Sequence, residues 1–262
     1  MGDRAAGVVA GREAWRGEVT LAGDVLVRAG STLTLAAGTR VVALALGEAP
    51  FAVRRFGTER PGRGRCRILV EGELRAEGEP GAPVRAGGPG WGGIWLLADG
   101  RADLRALHAA TGPDESLSLL DFARVRARDC RFEGADCGAS VAGFARARFE
   151  RCEFAGARRA GLRADGDAEV DALACASRAG VGLLLEDSAR VRWLRGRVEA
   201  DYGAVLGGHS RLRSSGSAWT GALAGLSAKG RSRARSRADR FAGPGQAVVR
   251  SEDGRIELAS NC

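Results

Sequence analysis

Strides of about 22 residues through the C-terminal half align Asp165, Asp187, His209, Arg231 and Asp253. Asp167, Glu169, Asp171 and Glu186 stand close by. Carboxylates beside an imidazole are groups that move protons, and two chemistries suit them. One is acid–base work on a sugar, with Asp165, Asp187 and His209 as candidate catalytic residues and Arg192 or Arg211 holding a uronate carboxylate. The other is Ca²⁺ held by oxygen ligands. A plainer reading also exists, and the sequence favours it: Asp, Ser and Gly gather at bends because their side chains satisfy turn backbone. His108, in the stretch HAATGPDES, reads as a solvated loop histidine.

The same stride aligns Cys130, Cys152 and Cys175, with Phe132 and Phe154 two residues after the first two. A thiol column would bind metal or switch with redox state. There is no CxxC and no histidine near these thiols in sequence, so the reading preferred is an interior stack of small apolar residues, with no metal site. Cys137 is expected on a turn or outer wall, Cys66 opens a strand, and Cys262 ends the sequence.

A third set is basic. Arg124 and Arg126 recur one stride later as Arg146 and Arg148, then come Arg190 and Arg192, and Arg211 and Arg213. Spacing by two puts alternate residues on one face of a strand. Stacking those strands makes a basic stripe whose guanidinium forks match carboxylate, sulfate or phosphate. The plainer alternative is a solvated face with acids interleaved. Nucleic acid is disfavoured, because aromatics make up only 5% of the chain and stacking platforms are scarce. Trp91 and Trp95, in PGWGGIWLLADG, offer either a sugar-stacking surface or a packed corner, while Trp193 and Trp219 read as core fillers.

Short strands must position these columns. Blocks such as FARVRARDCRFEGADCGASVAG from Phe122 and ARVRWLRGRVEADYGAVLGGHS from Ala189 alternate apolar and polar residues and break at Gly, Asp or Ser. The period of about 22 residues suits three strands and three bends per coil, giving roughly ten coils. The 40 glycines serve the bends, and the 7 prolines are few enough to leave ladders intact. The 262 residues are read as one domain over 15–262, after a leader or cap at 1–14, with irregular loops near 47–65 and 108–116. The net charge is +8, and Lys229 is the single lysine among 40 basic residues. That balance speaks to attraction for polyanions rather than to fold.

The run GDVLVRAGSTLTLAAGTRV, then ILVEGELRAEGEPGAPVRA, then WGGIWL, resembles the N-terminal coils of right-handed parallel β-helix proteins with the pectate-lyase-like fold. The resemblance implies an all-β, right-handed parallel β-helix over about 15–262. Lyases of that family use Asp clusters with Ca²⁺ and an Arg base, but no family catalytic motif maps here residue by residue. The family also holds hydrolases, epimerases and adhesins, so fold does not fix function. Two readings follow. The first is a non-catalytic structural or binding β-helix that presents its basic wall to an anionic glycan or envelope component, or that self-associates through its end coils. The alternative is a carbohydrate-active enzyme, a polysaccharide lyase, hydrolase or epimerase. No cofactor is predicted, and Ca²⁺ on the carboxylates is the one candidate. No apolar run is long enough to span a bilayer and no signal peptide is evident, which points to the cytoplasm; a mature form would instead suit the cell envelope or secretion.

Overall fold

In the computed structural model the described residues are 3–45, 53–55, 58–60, 65–112, 115–250 and 253–259. They form strands and turns with no helix among them, and hence no helix long and apolar enough to cross a membrane. Successive coils pair parallel, so the chain is a parallel β-helix. One wall is an 11-stranded sheet that starts at Arg12–Trp15 and ends at Arg255–Ala259. We call it the arginine wall. The other two walls merge into one larger sheet, because after Glu153–Ala164 a single long strand often serves both. The segment read as a leader or cap already lies in this scheme: Asp3–Val9 pairs with Glu18–Val27.

Alternation along each strand builds the core. Arg124–Arg128 buries Val125 and Ala127 and exposes its three arginines, and Arg190–Leu194 buries Val191 and Trp193. Phe149 packs edge-on against Phe154 with ring centres 5.0 Å apart, and Phe132 and Trp193 join them. Each such ring contributes about 1.5–3 kcal/mol by leaving water. Toward the C-terminus small polar residues join Trp219 and Leu226 in the core. Ser236 Oγ donates to the buried Asp239 at 2.6 Å, and Asp239 accepts the Ser217 amide at 2.7 Å.

Trp91 is fully buried, so the exposed reading is corrected. Its neighbour Trp95 lies under the Arg67 guanidinium, 5.1 Å from the ring centre. Trp193 and Trp219 fill the core as expected. Cys130, Cys152 and Cys175 stack inside, and the Cys152 amide donates to Cys175 Sγ at 3.4 Å. The thiols of Cys130 and Cys175 are held up by hydrogen bonding to Cys152 and by burial. Cys262 lies outside the described residues, as do 47–52, 56–57 and 61–64 of the expected 47–65 loop. Val53–Arg55 and Thr58–Arg60 of that loop form an antiparallel pair.

Two bends per coil put a residue in the left-handed region. The bend that leads into the arginine wall stacks Asp121, Gly143, Gly166, Asp187, Gly208 and Gly230, with φ from 54° to 71°. Glycine takes this backbone at no steric cost, and Asp is among the few others that tolerate it.

Candidate functional site

The arginine wall carries its charges in columns. The first outward column runs Arg101, Arg124, Arg146, then Glu169, then Arg190, Arg211, Arg233. The second runs Arg126, Arg148, then Asp171, then Arg192, Arg213, Arg235. Adjacent coils lie about 4.8 Å apart, so these guanidiniums are neighbours. The acids of one coil divide them. Glu169 sits 3.3 Å from both Arg146 and Arg190. Asp171 holds Arg192 through two contacts, one of them 2.6 Å. Among the described residues, Arg124, Arg126 and Arg148 on one side of that coil make no ion pair, nor do Arg211 and Arg213 on the other. The wall therefore carries two basic patches with a neutralised rung between them. Beside the first patch lies a shallow groove of about 220 Å³, lined by Arg105, Arg126, Arg128 and Arg148 with Asp103 and Glu150.

One feature of the corner was not read from the sequence. Phe122 and Phe144 are 56% and 57% exposed and stack on each other, with ring centres 5.3 Å apart and planes 8° from parallel. Each follows a left-handed bend residue, Asp121 or Gly143, and each comes two residues before an outward arginine. The repeated motif F-A-R-x-R, at Phe122 and again at Phe144, was the available signal.

The candidate carboxylates do not share a column. Pairing of Ala164 with Leu185 and of Leu185 with Leu206 fixes the register. Asp165 therefore precedes the bend residue of its coil, Asp187 is the bend residue of the next, and His209 follows the bend of the third. These coils are 21 residues apart in register, so a stride of 22 drifts by one position at each step. Asp165 is buried, and Arg163 bridges it at 3.0 Å to Glu186 at 2.9 Å. Asp187 accepts the Gly166 amide at 3.3 Å, and its carbonyl accepts the His209 amide. Asp187 and His209 are both exposed.

His108 stands in the strand Leu107–Gly112, between Arg85 and Arg131 of the flanking coils. It lines an open groove of about 430 Å³ with Arg40, Arg85 and Arg131 over small residues such as Gly87 and Ala109. Burial, with Arg85 and Arg131 adding to it, pulls its pKa below the ordinary histidine value. Elsewhere Glu115, Asp136 and Cys137 bring their donor atoms within 4.8 Å of one another. Cys137, expected on a turn or outer wall, is fully buried at the start of Cys137–Val141. Burial and the two carboxylates push its thiol up to about 12.

No protein-family model matches the sequence, and no curated protein matches it. Two similar solved structures are phage tailspikes. One is the enzymatically active domain of tailspike protein 4 from bacteriophage CBA120, with TM-score 0.48 and 11% identity over 94% of this chain and 40% of that one. The other is a tailspike from Acinetobacter baumannii bacteriophage Fri1, a capsular polysaccharide depolymerase, with TM-score 0.47 and 12% identity over 93% of this chain and 52% of that one. The chain thus spans about half or less of each. The assignment to the parallel β-helix class rests on this chain's own ladders.

Proposed function

We propose that this protein is a non-catalytic binding β-helix whose arginine wall holds an anionic polymer, with an acidic or sulfated polysaccharide as the favoured partner. The observation that carries the reading is the in-register stacking of outward arginines on either side of the acidic rung, where Arg124, Arg126, Arg148, Arg211 and Arg213 make no ion pair among the described residues. Like charges directly opposite on paired strands destabilise a sheet. A polyanion lying along the wall relieves that repulsion and releases its own counterions. Arg124, Arg126, Arg146 and Arg148 supply one patch, and Arg190, Arg192, Arg211 and Arg213 flank and form the other.

The test is titration with heparin at several salt concentrations. Binding should weaken steeply with salt. The fourfold variant R124A/R126A/R146A/R148A should flatten the log–log salt slope by about 3–4, since each contact that is lost no longer releases just under one counterion. The thermal melt should stay within a few degrees, because these side chains are exposed. Binding that is indifferent to salt, or unchanged in the variant, would remove the reading. Shortening of an anionic polysaccharide on incubation with the protein would overturn its non-catalytic part and favour the carbohydrate-active alternative.

A further inference from the structure

Two costs coincide in the same two coils. Phe122 and Phe144 hold more than half of their surface in water, whereas Phe132, Phe149 and Phe154 in the same run of coils are fully buried. Arg124, Arg126 and Arg148, on those same strands, lack acid partners among the described residues, and Arg146 shares Glu169 with Arg190. At the equivalent bend position the neighbouring coils carry Asp99 and Asp167, and the coils after those carry Ser188 and His209. The aromatic pair therefore belongs to the first basic patch alone.

The chemistry of the pair is specific. The rings stack face to face, and each stays more than half exposed. An aromatic face carries the negative end of a quadrupole, and the C–H face of a pyranose ring presents weakly positive hydrogens with little polarity to desolvate. Arg124 and Arg146 lie two residues beyond the rings, and Arg126 and Arg148 two residues further on. From ring to second arginine the span is on the order of 10 Å by strand rise, a few sugar units in length. The path ends at the groove lined by Arg105 and Arg128, which has room for a carboxylate or sulfate.

We infer that Phe122 and Phe144 form a sugar-stacking platform, and that together with Arg124, Arg126, Arg146 and Arg148 they select a polyanion built of sugar rings over one that merely carries charge. This rests on the proposed binding role of the arginine wall and narrows it to an anionic glycan seated at this corner.

Two probes separate the ideas, a heparin hexasaccharide and inorganic polyphosphate, which has charge and no rings. The native chain is compared with F122S/F144S and with R124A/R126A/R146A/R148A. A thermal melt accompanies each, and F122L/F144L serves as a second aromatic variant that keeps the corner apolar. Both phenylalanine variants should lose about tenfold in affinity for the hexasaccharide, the scale of one or two aromatic contacts, and should bind polyphosphate as the native chain does. The arginine variant should lose both probes. Unchanged hexasaccharide binding by the phenylalanine variants, or an equal loss of both probes, would overturn the platform while leaving the basic wall standing. An arginine variant that keeps both probes would overturn the wall itself, and the platform with it.

Discussion

The acidic rung offers a perturbation in which binding and stability should move in opposite directions. The double variant E169Q/D171N keeps side-chain size, removes two negative charges from the centre of the arginine wall, and turns one acceptor oxygen of each side chain into an NH2 donor. Three arginines lose their acid partners: Arg146 and Arg190, each 3.3 Å from Glu169, and Arg192, held by Asp171. The two basic patches then become one, continuous from Arg101 to Arg235. If a bound polyanion takes up those three charges, the log–log salt slope should steepen by about 2–3. The cost to folding is small, because exposed pairs contribute about 0.2–1 kcal/mol each. Three such contacts make a loss of about 1–2 kcal/mol, read as an earlier urea midpoint with an unchanged m-value. Heparin titration across a salt series, with urea unfolding in parallel, measures both. A slope equal to that of the native chain, or a shallower one, would refute the continuous-stripe reasoning. A rise in stability would refute the account of the pairs.

Two further consequences concern the scaffold. Trp193 is fully buried beside Phe154, with ring centres 6.5 Å apart, so W193A should cost about 3–5 kcal/mol in urea unfolding; a loss under 1 kcal/mol would mean that the coils collapse around the gap. Partial burial, and after it the charges of Arg85 and Arg131, hold the pKa of His108 below the ordinary histidine value of 6.5. Its contribution to stability is therefore present above pH 6.5 and is lost as pH falls from there toward the folded pKa. The difference in unfolding free energy between the native chain and H108Q should shift against the native chain as pH drops from neutral, and a difference constant with pH would contradict the burial account.

The coil was legible because both of its periods are written in residue type. Val125 and Ala127 against Arg124, Arg126 and Arg128 announce a strand with one wet face, and Gly, Asp and Ser mark the bends. The arginine columns were also legible, since Arg124 pairs with Arg146 and Arg190 with Arg211, and the runs of alternating arginine mark the register whatever the coil length. The carboxylate column failed on a uniform stride. The coils vary in length, a slip of one residue moves a side chain across the bend, and residue type gives no warning of it. Phe122 and Phe144 opened apolar blocks and passed for ordinary members of the pattern. Their exposure depends on the left-handed residue before each of them, which turns the next side chain outward. Trp91 was ambiguous for the opposite reason, because flanking glycines suit an open corner and a tightly packed one alike. The grouping of Glu115, Asp136 and Cys137 had no sequence signal, since its members meet only when one coil is laid on the next.

Among the described residues, each inner rung of the arginine wall pairs its backbone by hydrogen bonds with the rung before it and the rung after it. Those bonds run along the long axis of the rod, across the strands. Under tension, the molecule is therefore anisotropic. A pull that separates its two ends loads the bonds of one interface after another, so coils should peel away singly at low force, in the manner of a zipper. A ligand that lies along the wall and grips arginines from several coils would bear part of that load in parallel. Binding would then stiffen the rod along the one direction in which its own hydrogen bonds are opened one coil at a time.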